Sequence, residues 1–226
     1  MGIRRGSIST PIIADGLVFN MDAANRASYP KTGDTITDTI GITTGTFNGN
    51  TFLNINEGVI DFDGSDDYTT VSNFNVLANS NNFTVSFWVN FTSLGYYDTI
   101  LNHYSTIGIK AHRAGSKMQF LFSSADSTSM SVTSTTTIST GTWENYLCTY
   151  DNVDFKIYID GVLNNTSNLP GENYVSNLDQ DLILGKYWFG GRFFNGNIAN
   201  IQVYNHALSA NEVLHNYNAL KGRFRL

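Results

Sequence analysis

Residues 83–92 read Phe83-Thr84-Val85-Ser86-Phe87-Trp88-Val89-Asn90-Phe91-Thr92, an alternation of apolar and polar side chains broken only at Trp88. Only an extended chain gives that pattern a purpose, because successive side chains leave a strand on opposite faces. Phe83, Val85, Phe87, Val89 and Phe91 therefore share one buried face. The opposite face is polar except for Trp88, which predicts a sheet with one buried side. Phe155, Ile157 and Ile159 repeat the pattern, and Asp160-Gly161 supplies a hairpin turn whose two central residues tolerate positive φ. Further short strands are predicted at 16–21, 58–63, 67–72, 98–102, 106–111, 117–123, 143–151, 181–185 and 197–204. Many short strands with turn signals between them specify an all-β sandwich or barrel. The Ser/Thr-rich tract from Ser123 to Thr140 resembles low complexity, yet Met130, Val132 and Ile138 are placed to pin it as strand.

A chain of 226 residues and 25.0 kDa suits a single domain of this class. Size scaling gives it roughly 10,000 Å² of folded surface. One helix is written near the end. Ser209 and Glu212 form a capping box, and Leu208 and Val213 occupy the staple positions. Val213, Tyr217 and Leu220 share a face, Gly222 ends the run, and Leu214 with its neighbours braces the sandwich.

Charge is scarce, at 14% of residues, and the net charge is −6. A general nucleic-acid binder needs a basic stripe to displace counterions, so that class is excluded. The single cysteine, Cys148, excludes disulfide and zinc-ribbon frameworks. No run of eighteen apolar residues spans a bilayer, and Met1–Thr10 is too polar for a signal-peptide core. The sequons at Asn82 and Asn90 are expected to be accidents of an Asn/Thr-rich chain. Arg4, Arg5, Lys221, Arg223 and Arg225 concentrate cations at the two ends, leaving a body near −11 over residues 6–220. These ends read either as solvated tails or as anchors to an acidic neighbouring subunit.

Several segments together resemble laminin-G-like domains of the concanavalin-A-like lectin superfamily. They are Asp15–Asp22, Phe62–Tyr68, Phe83–Val89, Trp143 leading into Thr149–Asp151, Lys156–Gly161, and Phe194–Ile198 continuing to Val203–Ser209. The resemblance implies a two-sheet antiparallel jelly-roll sandwich with one short C-terminal helix. It divides the chain into an N-terminal arm (1–14), the sandwich (15–220) and a basic tail (221–226). Asp22–Asn25, reading Asp-Ala-Ala-Asn, and Asn216–Ala219, reading Asn-Tyr-Asn-Ala, are similar to virion structural proteins of tailed bacteriophages. That likeness implies a virion-surface location, other virion proteins as partners, and a subunit decorating a capsid or tail.

Enzymes of the superfamily resemble a Glu-x-Asp-x-x-Glu pattern with two carboxylates close together. Here Glu57, Glu144, Glu172 and Glu212 lack that spacing, so the chain is expected to be no enzyme. Relatives often hold calcium, and Asp61, Asp63, Asp66 and Asp67 cluster. Calcium needs six to eight oxygens, and a turn-stabilising role accounts for the same carboxylates. The best candidate surface is 186–192, where Tyr187, Trp188 and Phe189 cannot all face one core and Arg192 offers directed donors. Tyr96, Tyr97 and His103 form a second aromatic–polar stretch placed to join it. The rings equally suit a plug at the sandwich edge or a contact within a homo-oligomer. The first expectation is thus a non-enzymatic virion protein that touches surface glycans. A free-standing carbohydrate-binding lectin module is the alternative, and a glycan hydrolase the third.

Overall fold

The phenylalanine–valine strand becomes the centre of a sheet, and a second sheet closes over it. The computed structural model describes residues 10–41, 43–49, 52–54, 58–77, 80–95, 98–103, 109–123, 129–171, 180–187 and 191–224. The strands are β1 (Leu17–Asp22), β2 (Thr35–Thr37), β3 (Thr44–Asn48), β4 (Phe52–Asn54), β5 (Val59–Asp63), β6 (Tyr68–Val71), β7 (Phe83–Phe91) and β8 (Thr99–His103). They continue as β9 (Ile109–Ala114), β10 (Lys117–Ser123), β11 (Ser129–Thr133), β12 (Trp143–Tyr150), β13 (Asp154–Ile159), β14 (Val162–Asn168), β15 (Leu182–Leu184) and β16 (Asn195–Tyr204). A helix, α1 (Ala210–Leu220), and a short 3-10 turn (Lys221–Phe224) follow. The first sheet runs β14-β13-β12-β7-β16-β5-β4, with β1 added to β16. The second runs β11-β10-β9-β8-β15-β6-β3-β2. Neighbouring strands are antiparallel throughout, as a jelly roll requires.

The alternating face of β7 is buried completely, and its rings meet those of β10 from the other sheet. Phe87 lies 5.7 Å from Phe120, and Phe83 meets Phe122 edge-on at 5.6 Å. Each such ring contributes about 1.5–3 kcal/mol by leaving water, and edge-on pairs add to that. Cys148, on β12, faces the same core and is fully buried, which pushes its thiol pKa up. The hairpin joining β13 to β14 turns at Asp160 (φ 51°) and Gly161 (φ 78°), both left-handed as the sequence requires. The accessible surface, 10415 Å², matches the size scaling.

The outer face of β7 departs from expectation. Thr84, Ser86 and Trp88 are buried too, because α1 and the Lys221–Phe224 turn cover this sheet. The Trp88 ring stacks on Phe224 at 4.2 Å and on Tyr217 at 5.5 Å. Beneath the cover, Asn145 Nδ2 donates to Ser86 Oγ and to the Phe87 carbonyl, which satisfies this part of the polar face without water.

The helix begins as the sequence dictates. Ser209 Oγ accepts from the Glu212 amide, and a Glu212 carboxylate oxygen accepts the Ser209 N–H at 2.8 Å. Leu208 and Val213 lie in one apolar cluster. Its end differs. Lys221 caps the helix in right-handed geometry (φ −55°), and the chain continues through Gly222 to bury Phe224. Leu214 is also corrected: it is 44% exposed, while Val213 and Asn216 face the sheet. In the Ser/Thr tract, Met130 and Val132 are buried on β11, whereas Ile138 is buried outside any strand. β2, β3, β4 and β14 carry no apolar alternation, and sequence reading passed over all four.

Candidate functional site

The end of the sandwich where β15 leaves for β16 is built around Gly185. At φ 79° its position suits glycine alone, since an added side-chain carbon would stand 2.5 Å from the Phe62 ring. This bend lets the Phe194 N–H donate to the Gly185 carbonyl at 2.8 Å and the Tyr187 N–H to the Arg192 carbonyl at 3.1 Å. A hairpin results, with Lys186 paired opposite Phe193. Lys186 Nζ sits 4.0 Å above the Tyr68 ring and 5.4 Å from Phe193, and the Arg192 guanidinium lies 5.3 Å from the Tyr187 ring. Cations held over ring faces keep their N–H donors fixed in direction. All five side chains are half-buried. Trp188 and Phe189 lie outside the described residues. Lys186 lies in the surface predicted from sequence, whereas Tyr68 and Phe193 were missed as site residues. Tyr68 falls in the Phe62–Tyr68 motif and the predicted strand 67–72, and nothing local to it or to Phe193 announces that they meet Lys186.

Beside this rim lies the acidic turn. Oxygens of Asp63, Asp66 and Asp67 stand within 4.8 Å of one another. Asp67 is buried, and its Oδ2 accepts the Asp63 N–H at 3.0 Å; Asp63 Oδ1 accepts the Ser65 N–H at 2.7 Å. Asp61 does not join them, because its carboxylate accepts from Asn197 Nδ2 at 2.7 Å. Asn195 stands opposite Asp63 in the sheet, which brings the turn next to the hairpin. With two oxygens engaged by backbone donors, the trio suits a self-supporting turn and supplies part of a hard cation's shell.

The second predicted stretch divides. Tyr96 and Tyr97 lie outside the described residues. His103 is corrected to a core residue. It is fully buried, meets Phe74 edge-on at 5.3 Å, and hydrogen-bonds to the backbone of Gln180 and Phe74. Burial lowers its pKa to about 4, so it stays neutral at pH 7. Strand alternation sends it inward, away from the loop that its sequence position suggested.

Of the basic ends, Arg4, Arg5 and Arg225 lie outside the described residues, and Lys221 Nζ lies 5.4 Å from the Tyr217 ring. Arg223 is corrected from a free anchor to an internal one. It pairs with Asp22 at 2.8 Å and donates to the Gly58 carbonyl at 2.6 Å.

Neither described glutamate is poised for hydrolysis. Glu144 accepts from the Tyr146 hydroxyl at 2.7 Å, and Glu212 serves the helix cap; Glu57 and Glu172 lie outside the described residues. A groove of about 470 Å³ beside the N-terminus of α1 holds Asp151, Lys156, Tyr158 and Glu212. Lys156 bridges Asp151 and the neighbouring Asp154, each at 3.2 Å, and Glu212 is engaged by Ser209.

The architecture and rim define a lectin-like β-sandwich. A laminin G family model, described as concanavalin A-like lectin/glucanases superfamily, matches residues 63–214, and the chain belongs to this family. No curated protein matches it. Similar solved structures include the botulinum neurotoxin serotype D/C binding domain, at 18% identity and TM-score 0.70 over 91% of this chain and 52% of that one. The binding domain of botulinum neurotoxin DC in complex with rat synaptotagmin II is 16% identical, with TM-score 0.71 over 91% and 52%. A botulinum neurotoxin type C structure, whose cell entry depends on two ganglioside molecules, is 18% identical, with TM-score 0.70 over 91% and 51%. This chain spans about half the length of these neighbours. At such identities the likeness is one of fold. These three are neurotoxin binding domains, not virion proteins.

Proposed function

We propose that the protein is a non-catalytic module that recognises glycans through the rim formed by Tyr68, Lys186, Tyr187, Arg192 and Phe193. The observation that carries this reading is the pair of cation-capped rings, Tyr187 on the glycine-bent hairpin and Tyr68 beneath its Lys186. A ring face meets the C–H side of a sugar, and the fixed N–H donors beside it reach hydroxyl oxygens. A similar solved structure, about half of which this chain matches, belongs to a toxin whose cell entry depends on gangliosides, and that accords with a glycan as ligand. A glycan array with the purified protein is expected to give signal that Tyr187→Ala removes while the melting midpoint stays unchanged. Absence of signal for the intact protein sinks the reading.

The setting we propose is a virion surface, where the module decorates a tailed bacteriophage particle. The Asp22–Asn25 and Asn216–Ala219 segments favour it, as does a body poor in charge. Fixed-stoichiometry co-purification with particles is the expected result, and recovery of the protein only in the particle-free fraction rejects that setting.

A further inference from the structure

Among the described residues six large apolar side chains stand exposed, and three of them gather in one place. Val162 is 64% exposed, Leu163 50% and Leu214 44%. The hairpin between β13 and β14 brings them together, because its tip lies on α1. A side-chain carbon at Gly161 would stand 3.2 Å from Leu214 Cδ1 and 3.0 Å from Tyr217 Cβ. Ile40, Leu94 and Val153, the other three, sit singly in separate loops. The gathered side chains leave roughly 300 Å² of apolar surface, the size at which a patch on a monomer marks a contact site.

This corner also lies on an open edge. β14 ends the first sheet, with β13 on one side and, among the described residues, no strand on the other. Edges that stay solvated are normally blunted by charged side chains, lysine above all. β14 has none. Asparagines block part of it instead. The register slips at Asn164, whose Oδ1 accepts the Thr135 N–H at 2.7 Å from the segment after β11. Asn165 Nδ2 donates to the Thr133 carbonyl at 2.8 Å, and its Oδ1 accepts the Thr166 N–H at 2.9 Å. The polar stretch of the edge is thus tied to the molecule itself, and the apolar start, Val162 and Leu163, is left open.

We infer that this corner is a self-association surface, covered by the same corner of a second copy across a two-fold axis. Identical edges run antiparallel under that symmetry, so Val162, Leu163 and Leu214 meet their own counterparts and the outer backbone side of one strand meets the other. Because β14 is uncharged, the pairing sets no like charges opposite one another, although each body is near −11 over residues 6–220. Area sets the strength. Stable complexes bury about 800 Å² per partner, and this corner offers roughly half that or less, which gives a dimer half-formed on the order of 100 μM. Acidic bodies repel across about 10 Å at 0.1 M salt, so added salt favours the dimer.

Sedimentation velocity of the intact chain from about 5 to about 500 μM, in about 0.05 and about 0.5 M sodium chloride, tests the inference. The average mass is expected to climb from monomer towards dimer, at concentrations about threefold lower in the higher salt. Val162→Lys combined with Leu214→Lys should hold the chain monomeric throughout with its melting midpoint unchanged, and Ile40→Lys should alter nothing. Leu163→Cys reads the geometry, since the native Cys148 is buried. A short bismaleimide should join two Leu163→Cys chains at high concentration and leave Ile40→Cys chains single. Three results overturn the inference: an intact chain that stays monomeric at about 500 μM in both salts, which leaves the corner to a different protein; association that survives the double lysine variant; or association without the Leu163→Cys crosslink.

Discussion

Arg223 closes the molecule on itself, its Nη1 standing 2.8 Å from Asp22 Oδ1 at the end of the first strand while Nη2 donates to the Gly58 carbonyl. The pair is largely screened from water, and it sets the neighbouring Phe224 ring between Trp88 and Trp143, 4.2 and 4.7 Å away. Removing the guanidinium leaves Asp22 without its cation. Arg223→Ala is expected to cost about 1–3 kcal/mol, and Phe224→Ala about 3–5 kcal/mol through the cavity it opens. Denaturant titration followed by tryptophan fluorescence reads both, because Trp88 lies in that stack.

Stability should fall on mild acidification because of His103. Its folded-state pKa lies near 4, below the ordinary 6.5, so the unfolded chain takes up a proton that the folded chain refuses. The stabilisation is complete above pH 6.5 and declines as the pH drops toward 4, by an amount on the order of 3 kcal/mol. Unfolding free energies measured at pH 7 and pH 4.5 should differ accordingly. His103→Gln should flatten that difference, and an unchanged slope rules the histidine out as its cause.

The acidic turn is expected to hold its shape through its own backbone bonds. Asp67→Ala, which leaves the Asp63 N–H without this acceptor, should lower stability by about 0.5–1.5 kcal/mol. Chelation with EDTA should leave the melting curve of the intact protein in place. A fall in midpoint on chelation, restored by added calcium, assigns the trio to a cation.

Gly185→Ala should be among the most damaging substitutions of a small residue. The left-handed backbone and the Phe62 ring at 2.5 Å both oppose it, for about 2 kcal/mol or more. Because the bend carries the rim, glycan signal should fall along with the melting midpoint. Gly33→Ala, which meets nothing nearby, serves as the comparison for left-handed backbone alone.

The strands with apolar alternation, the Asp160-Gly161 turn and the capping box were all legible in the sequence because each is decided by residues within a few positions of one another. β7 and α1 illustrate this best. What escaped depends on distant partners. Trp88 lies on a covered face because Phe224 returns from the far end of the chain, and Lys186 sits over Tyr68 through sheet pairing across more than a hundred residues. His103 was misplaced because nearness in sequence to Tyr96 and Tyr97 says nothing about which way a strand residue points. The strands β2, β3 and β14 are rich in Thr and Asn, and their partners, not their own pattern, make them strands.

Cys148 has a practical corollary. Its sulfur is walled in by the sandwich core, and the chain holds no other thiol. Maleimide reagents should therefore pass over the native fold. A cysteine engineered into the rim hairpin would then be labelled alone, and a dye placed there would report occupancy without disturbing the parent sequence elsewhere.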